Sequence, residues 1–129
     1  MNISIVVDTD IIIDLLRGVP QAKEFFNKIK TREYIAYYSS IVEAEIFSGQ
    51  SAGTPEEQKI IENLLELMTR LDINGTVARK AGEFRRKYGC SIPDALIAGT
   101  AVINNIHTIA TRNKKHFDLI KDVKVFVPY

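Results

Sequence analysis

Ile3-Ser4-Ile5-Val6-Val7, followed at once by Asp8-Thr9-Asp10, is the stretch on which the fold turns. A run of β-branched apolar residues suits a strand buried on both faces, the usual condition inside a parallel sheet. Parallel strands need crossover helices, and the rest of the chain supplies them in alternation. Ile11, Ile12, Ile13, Leu15 and Leu16 form a short apolar helical turn closed by Gly18. Pro20 opens a helix with Ala22, Phe25, Phe26 and Ile29 on one face. Tyr34 to Tyr38 is a second strand candidate, and Ser40 is placed to cap a helix running to about Phe47. Thr54-Pro55-Glu56-Glu57 has the form of a capping box and starts a helix expected to reach about Arg70. A short strand at Leu71-Asp72-Ile73 and a helix from Thr76 to Tyr88, closed by Gly89, follow. Ser91-Ile92-Pro93-Asp94 opens another helix to about Asn104, and His107 to Thr111 and Val123 to Val127 are the last strand candidates. The expected fold is α/β, a single domain over residues 1–129 with a mostly parallel central sheet flanked by helices.

Composition narrows the classes. The chain has 129 residues, 46% hydrophobic and 26% charged, which is the profile of an ordinary globular domain. Its single cysteine, Cys90, excludes an intrachain disulfide and a multi-cysteine zinc site. No apolar stretch approaches the ~20 residues of a membrane helix. The apolar start lacks a basic leader, so a cytoplasmic location is expected. Net charge is +1, so affinity for nucleic acid must come from local patches or a bound metal and not from a general basic field.

Several acidic residues stand where acids are costly. In an α/β sheet, sites form at the carboxyl ends of strands where strand order reverses. Asp8 sits at such a strand end, and Arg112 and Asn113 follow the strand from His107. A helix cap is available to Thr9 or Asp10, which leaves Asp8 without that explanation. Two carboxylates beside a buried strand end repel each other unless a cation sits between them. Glu43 and Glu45 are about 200° apart on a helix at ~100° per residue, so they cannot share one solvent face. One of them is expected near the buried side, paired in a structural salt bridge or bound to metal, and helix geometry leaves open which. Asp94 is suited to cap the helix it begins, favoured there by the helix dipole. That helix, Ala95 to Ile103, has almost no polar face, so its amino end points inward or into a cleft. Oxygen ligands of this kind suit magnesium, which keeps several waters and takes one or two direct carboxylates. His107 and His116 are not expected as metal ligands.

Together these segments resemble the PIN-domain family and, within it, the VapC-type toxins of toxin–antitoxin pairs, over essentially the whole chain. Val6-Val7-Asp8-Thr9-Asp10-Ile11-Ile12-Ile13-Asp14 is similar to the family's opening strand and first acid, with Asp10 where asparagine is commoner. Ser40-Ile41-Val42-Glu43-Ala44-Glu45-Ile46-Phe47-Ser48-Gly49 resembles the second motif, with Val42 where threonine is frequent; the resemblance selects Glu45 over Glu43. Ser91-Ile92-Pro93-Asp94-Ala95-Leu96-Ile97-Ala98-Gly99-Thr100-Ala101 is similar to the third and most specific motif. Thr111-Arg112-Asn113-x-x-His116-Phe117 resembles the fourth, but lacks the aspartate many relatives place at position 113 or 116. Asp118 is spaced wrongly to replace it.

The resemblance implies an endoribonuclease dependent on Mg2+, or Mn2+, with Asp8, Glu45 and Asp94 as catalytic residues and metal ligands. Thr9, Thr111 and Asn113 are the expected neutral supporting residues. It also implies an RNA substrate, a homodimer and a small antitoxin that blocks the site. Phe25-Phe26 and Leu64-Leu65-Leu67-Met68 are candidate apolar grooves for such a partner. Arg112, Lys114 and Lys115, and Arg85, Arg86 and Lys87, are candidates for RNA contact, although such runs are often only solvated surface.

Two rival classes share some of these features. Asp8-Thr9-Asp10 after an apolar strand also resembles the haloacid-dehalogenase nucleophile pattern of phosphotransferases, but no convincing later lysine and acidic pair accompany it. A catalytically impaired PIN-fold binding module is the second, suggested by Asn113.

Overall fold

The computed structural model describes residues 2–129. Five strands, β1 (Ile3–Val7), β2 (Tyr34–Ser39), β3 (Thr69–Leu71), β4 (Thr108–Ala110) and β5 (Lys124–Phe126), form one sheet in the order β3-β2-β1-β4-β5. Each neighbouring pair is parallel, so the sheet is wholly and not mostly parallel. The helices are α1 (Thr9–Leu16), α2 (Pro20–Lys30), α3 (Ser40–Phe47), α4 (Pro55–Leu65), α5 (Gly75–Tyr88), α6 (Ile92–Ile103) and the single turn α7 (Lys114–Phe117).

The apolar run in β1 is explained by its place at the centre. Ile5, Val6 and Val7 are fully buried, with β2 on one side and β4 on the other. Each such side chain stabilises the fold by about 1.5–3 kcal/mol relative to exposure. From β1 the chain moves outward through β2 to β3, then returns across the sheet to β4 and β5. Strand order therefore reverses between β1 and β4. Val7 pairs with Ala110 there, and the Asp8 N–H donates to the Ala110 carbonyl at 2.9 Å. A crevice at the carboxyl ends of these strands follows from that reversal.

The apolar helix α6 fills the interior, with Ala95, Ile97, Ala98, Gly99, Thr100 and Ala101 all buried. It packs closely on α5: a Cβ on Gly99 would lie 3.1 Å from the Val77 carbonyl oxygen. The Thr100 hydroxyl lies 2.9 Å from that of Ser39 at the end of β2, fastening α6 to the same edge of the sheet. Gly89, at φ +71°, ends α5 in the left-handed conformation that favours glycine and turns the chain toward Ser91.

Several boundaries differ from the sequence expectation. The helix from Pro55 ends at Leu65 and not near Arg70, because the chain turns to bury Met68 and then pairs Thr69 and Arg70 with Tyr37 and Tyr38. That pairing puts β3 two residues ahead of the expected Leu71–Ile73. Ser40 is the first residue of α3 and not its cap; its hydroxyl accepts from the Ile73 N–H at 3.1 Å, while Ser39 occupies the cap position. Asp8, not Thr9 or Asp10, occupies the α1 cap position. Phe25, Phe26, Leu64, Leu65 and Met68 are core residues, and of the proposed groove positions only Leu67 is exposed. No helix among the described residues is long and apolar enough to cross a membrane.

Candidate active site

Asp8 is the most confined acid of the crevice, 5% exposed. Both of its oxygens are held. Oδ1 accepts from the Thr9 N–H at 2.7 Å and Oδ2 from the Thr111 hydroxyl at 2.7 Å. The Asn113 N–H donates to the Thr111 hydroxyl oxygen at 2.9 Å, so the hydroxyl hydrogen is left for Asp8. Even with these donors the Asp8 carboxyl is pushed up to about 7, by burial first and by the charge of Asp10 second. The charge of Asp94 pushes in the same direction.

Asp10 lies in the first turn of α1 and reaches across to the loop after β4. Its Oδ2 accepts from the Arg112 N–H at 2.9 Å. Its Oδ1 is buried and has no hydrogen-bond partner among the described residues. Burial raises this carboxyl as well. An unpartnered buried carboxylate oxygen is costly, and either a proton or a bound cation relieves it.

Glu45 comes from α3. The Thr9 hydroxyl donates to its Oε1 at 2.9 Å, so Thr9 joins α3 to the Asp8 strand end through one side chain. Glu43 faces the other way, accepting from the Tyr38 hydroxyl at 3.0 Å with Arg70 Nη1 at 3.6 Å. Of the two glutamates, the structural ion pair therefore belongs to Glu43.

Asp94 begins α6, where its N–H donates to the Ser91 hydroxyl at 3.3 Å, the capping contact expected from sequence. Its side chain is one-fifth exposed at 20%, and Oδ2 stands 3.6 Å from His116 Nδ1. Glu45, Asp94, His116, Cys90 and Leu119 line one cleft of about 440 Å³. Ser91 and not Asp94 is the cap of α6, which leaves the Asp94 side chain to face the cleft.

The fourth motif is divided. Thr111 is fully buried beside Asp8, whereas Asn113 is exposed and touches the cluster only through its backbone N–H. Asp118 is held away by Lys114 at 2.6 Å. The Arg112 guanidinium is engaged by Asp14 at 3.0 Å, and Arg85 donates to the Cys90 carbonyl at 2.8 Å. Lys115, Arg86 and Lys87 are exposed. Asp10, which the sequence offers both as a helix cap and as one of two mutually repelling carboxylates, bonds the Arg112 loop and does not cap α1. His116, not expected as a metal ligand, is brought to Asp94 by the turn α7, a contact between distant elements that no local pattern records.

Among the described residues, no group of three or more His, Cys, Asp or Glu side chains stands arranged as a complete metal-binding set. The donor chemistry nevertheless fits a hard cation. All four acids offer oxygen, Asp10 Oδ1 lacks a partner, and magnesium needs only one or two direct carboxylates, with water filling the other positions.

Known proteins share this fold and sequence family. A family model described as the PIN domain matches residues 5–122. The Mycobacterium tuberculosis protein named Ribonuclease VapC10 is 30% identical over 125 residues, covering 93% of this chain and 90% of that protein. A chain of a toxin–antitoxin complex from Klebsiella pneumoniae superposes with a TM-score of 0.79 at 28% identity, over 97% of this chain and 98% of that one. A chain of DNA-bound VapBC from Salmonella typhimurium has the same fold, with a TM-score of 0.82 at 21% identity over 98% and 99% of the two chains. With a wholly parallel five-stranded sheet and a family model that matches residues 5–122, nearly the whole length, this chain belongs to the PIN-domain family.

Proposed function

We propose that the protein is a metal-dependent endoribonuclease, the toxin of a toxin–antitoxin pair, hydrolysing RNA phosphodiester bonds in the crevice between β1 and β4. The observation that carries the site assignment is Asp8: a buried carboxylate, fully hydrogen-bonded yet raised to about 7, beside a second carboxylate with an unpartnered buried oxygen. Such a pair is stable in its charged form only with a cation beside it. The named likeness to Ribonuclease VapC10 supports RNA as the substrate, and the toxin–antitoxin complex from Klebsiella pneumoniae supports an antitoxin as the partner.

In this proposal Asp8, Glu45 and Asp94 hold the ion, with Mg2+ as the physiological ion and Mn2+ as a substitute. The ion, when bound, supplies Lewis acidity and lowers the pKa of a water molecule. The protein's own groups do the positioning. Thr9 fixes Glu45 Oε1 and leaves Oε2 free, and Thr111 fixes Asp8 Oδ2. Lys115, Arg86 and Lys87 are the exposed cations assigned to flanking phosphates, as weak, sequence-independent contacts. Lys114 and Arg112 are assigned a smaller share, since each is already paired with an aspartate. A homodimer in the cytoplasm completes the assignment.

The test is cleavage of a fluorogenic RNA by purified protein with magnesium or with EDTA, beside Asp8→Asn and Asp94→Asn. Cleavage that needs the metal and is lost in both variants is the expected result. Turnover of a small phosphomonoester without RNA cleavage overturns the proposal in favour of a phosphotransferase. Folded protein that binds the ion and cleaves nothing overturns it in favour of a binding module.

A further inference from the structure

Outside the proposed ligands, one group of side chains is organised around the same loop. Asp14 lies four residues after Asp10 and thus one turn along α1, on the same side of the helix. The two aspartates grip a single residue from opposite ends. Asp10 accepts the backbone N–H of Arg112 at 2.9 Å, and Asp14 Oδ2 accepts its guanidinium Nη1 at 3.0 Å. Tyr129 closes the group: its hydroxyl donates to Asp14 Oδ2 at 2.7 Å, and the Arg112 guanidinium carbon lies 5.4 Å from the centre of its ring. The contact distance is that of a cation–π pair. Burial alone would raise the Asp14 carboxyl, but the Tyr129 hydroxyl and the Arg112 guanidinium hold it below its ordinary value, so it stays charged.

The backbone fastened in this way is the one that serves the site. Thr111 donates to Asp8, Arg112 donates to Asp10, and the Thr111 N–H is itself tied to the Phe126 carbonyl of β5 at 3.0 Å. Arg112 follows β4 and is exposed, with its side chain 51% accessible. Among the described residues, the side-chain contacts that hold Arg112 beyond the strand are those to Asp10, Asp14 and the Tyr129 ring. Arg112, whose backbone bonds to a carboxylate with an orphaned oxygen, thus carries an ion pair to Asp14 and a cation–π contact to Tyr129, and Tyr129 itself bonds Asp14.

We propose that Asp14, Arg112 and Tyr129 form a latch that holds the Thr111–Arg112 backbone on the Asp8 and Asp10 carboxylates and thereby sets the site's affinity for its cation. This rests on the nuclease assignment and names its positioning residues. None of the three side chains needs to touch the ion. Their effect is to keep Asp8 Oδ2 and Asp10 Oδ2 occupied by donors from the loop, which fixes the direction of the remaining oxygens. Partners of metal-ligating carboxylates are worth about 10–100-fold in metal affinity when removed.

The experiment measures Mn2+ binding by calorimetry for the wild type, Asp14→Asn, Tyr129→Phe and Tyr88→Phe, together with amide hydrogen exchange in the metal-free proteins. Tyr88 donates to Asp122 at 2.8 Å, an equivalent tyrosine–aspartate bond that involves neither α1 nor the Arg112 loop, and serves as the control. The expected result is Mn2+ affinity about tenfold lower in Asp14→Asn, lower by a smaller factor in Tyr129→Phe and unchanged in Tyr88→Phe. The Arg112 N–H exchanges faster in the two latch variants while the Asp8 N–H keeps its protection. Equal Mn2+ affinity in the wild type and both latch variants overturns the latch and leaves the nuclease assignment standing. A wild type that binds no Mn2+ while its Arg112 N–H is protected overturns both.

Discussion

Glu43 and Glu45 stand two residues apart on α3 and serve opposite sides of it: Glu43 takes the Tyr38 hydroxyl and Arg70, and Glu45 takes the Thr9 hydroxyl. The helical rotation between them, about 200°, makes this division unavoidable once α3 lies across the end of the sheet. One carboxylate tightens the β2–β3 edge. The other is brought to the strand end that carries Asp8. The same short helix thus contributes to stability and to the candidate site through separate residues.

Substitution separates the two roles. Glu45→Gln is expected to reduce RNA cleavage by about a hundredfold or more, in the range of lost catalytic acids and bases, with little change in melting temperature. Glu43→Gln is expected to leave cleavage within about threefold and to cost at most ~1 kcal/mol, since its ion pair is partly exposed. Steady-state cleavage rates and thermal melts on the two proteins check this. Equal losses of activity would show that α3 acts as a unit and that Glu45 has no separate part.

The order of elements was legible because each carries a local signature: the β-branched β1, the prolines opening α2, α4 and α6, and Gly89 closing α5. Boundaries failed where tertiary pairing decides them, as at Met68-Thr69, where burial and the β2 register end α4 early. In the crevice, Asp8 and Asp94 were visible as acids at the ends of apolar elements, while Glu45 needed the family resemblance. Asp10 and Asp14 were not legible as a pair, because what joins them is Arg112, about a hundred residues away in sequence. No local pattern records a contact of that length.

Stability of the metal-free protein should depend on pH through Asp8. Its carboxyl rises from 3.8 to about 7 on folding, so between those values the folded state binds the extra proton. Stability therefore falls as pH rises through this window and stays low above it, by an amount on the order of a few kcal/mol at most. Melting temperatures in EDTA are expected to decline from pH 5.5 to 8, and saturating Mg2+ is expected to remove most of the decline. Asp8→Asn should flatten the metal-free curve while abolishing cleavage. A wild-type curve in EDTA that rises over this range would contradict the burial and repulsion assigned to Asp8.

Asp10→Asn tests the orphaned oxygen. The substitution removes the second-largest cause of the raised Asp8 carboxyl and gives the buried position a neutral group of the same size. The metal-free protein is expected to gain up to about 1 kcal/mol at pH 8, through lost repulsion. Metal affinity is expected to fall by about tenfold, through loss of a charged oxygen near the ion. Cleavage at saturating magnesium should survive within about tenfold, because Asp8, Glu45 and Asp94 are unchanged. Calorimetric titration with Mn2+ beside thermal melts in EDTA provides both readings. Unchanged metal affinity would remove Asp10 from the site.

The close approach of α6 to α5 offers a test of how the scaffold carries Asp94. Gly99→Ala places a Cβ 3.1 Å from the Val77 carbonyl oxygen and 3.3 Å from the Ala81 nitrogen, both backbone atoms that cannot rotate away. Overpacking of this kind costs about 1–3 kcal/mol, a fall in melting temperature of roughly 5–10 °C for a domain of this size. Gly82, on α5, has nothing within 4 Å of an added Cβ, so Gly82→Ala should raise stability by up to about 1 kcal/mol through helix propensity alone. The two variants differ in a second way. Pushing α6 off α5 displaces the helix whose first turn holds Asp94 against His116, so Gly99→Ala should lose cleavage several-fold even well below its melting temperature. Gly82→Ala should keep wild-type rates. If Gly99→Ala melts lower but cleaves normally at 25 °C, the amino end of α6 is held by the Ser91 cap and its cleft neighbours independently of the α5 contact.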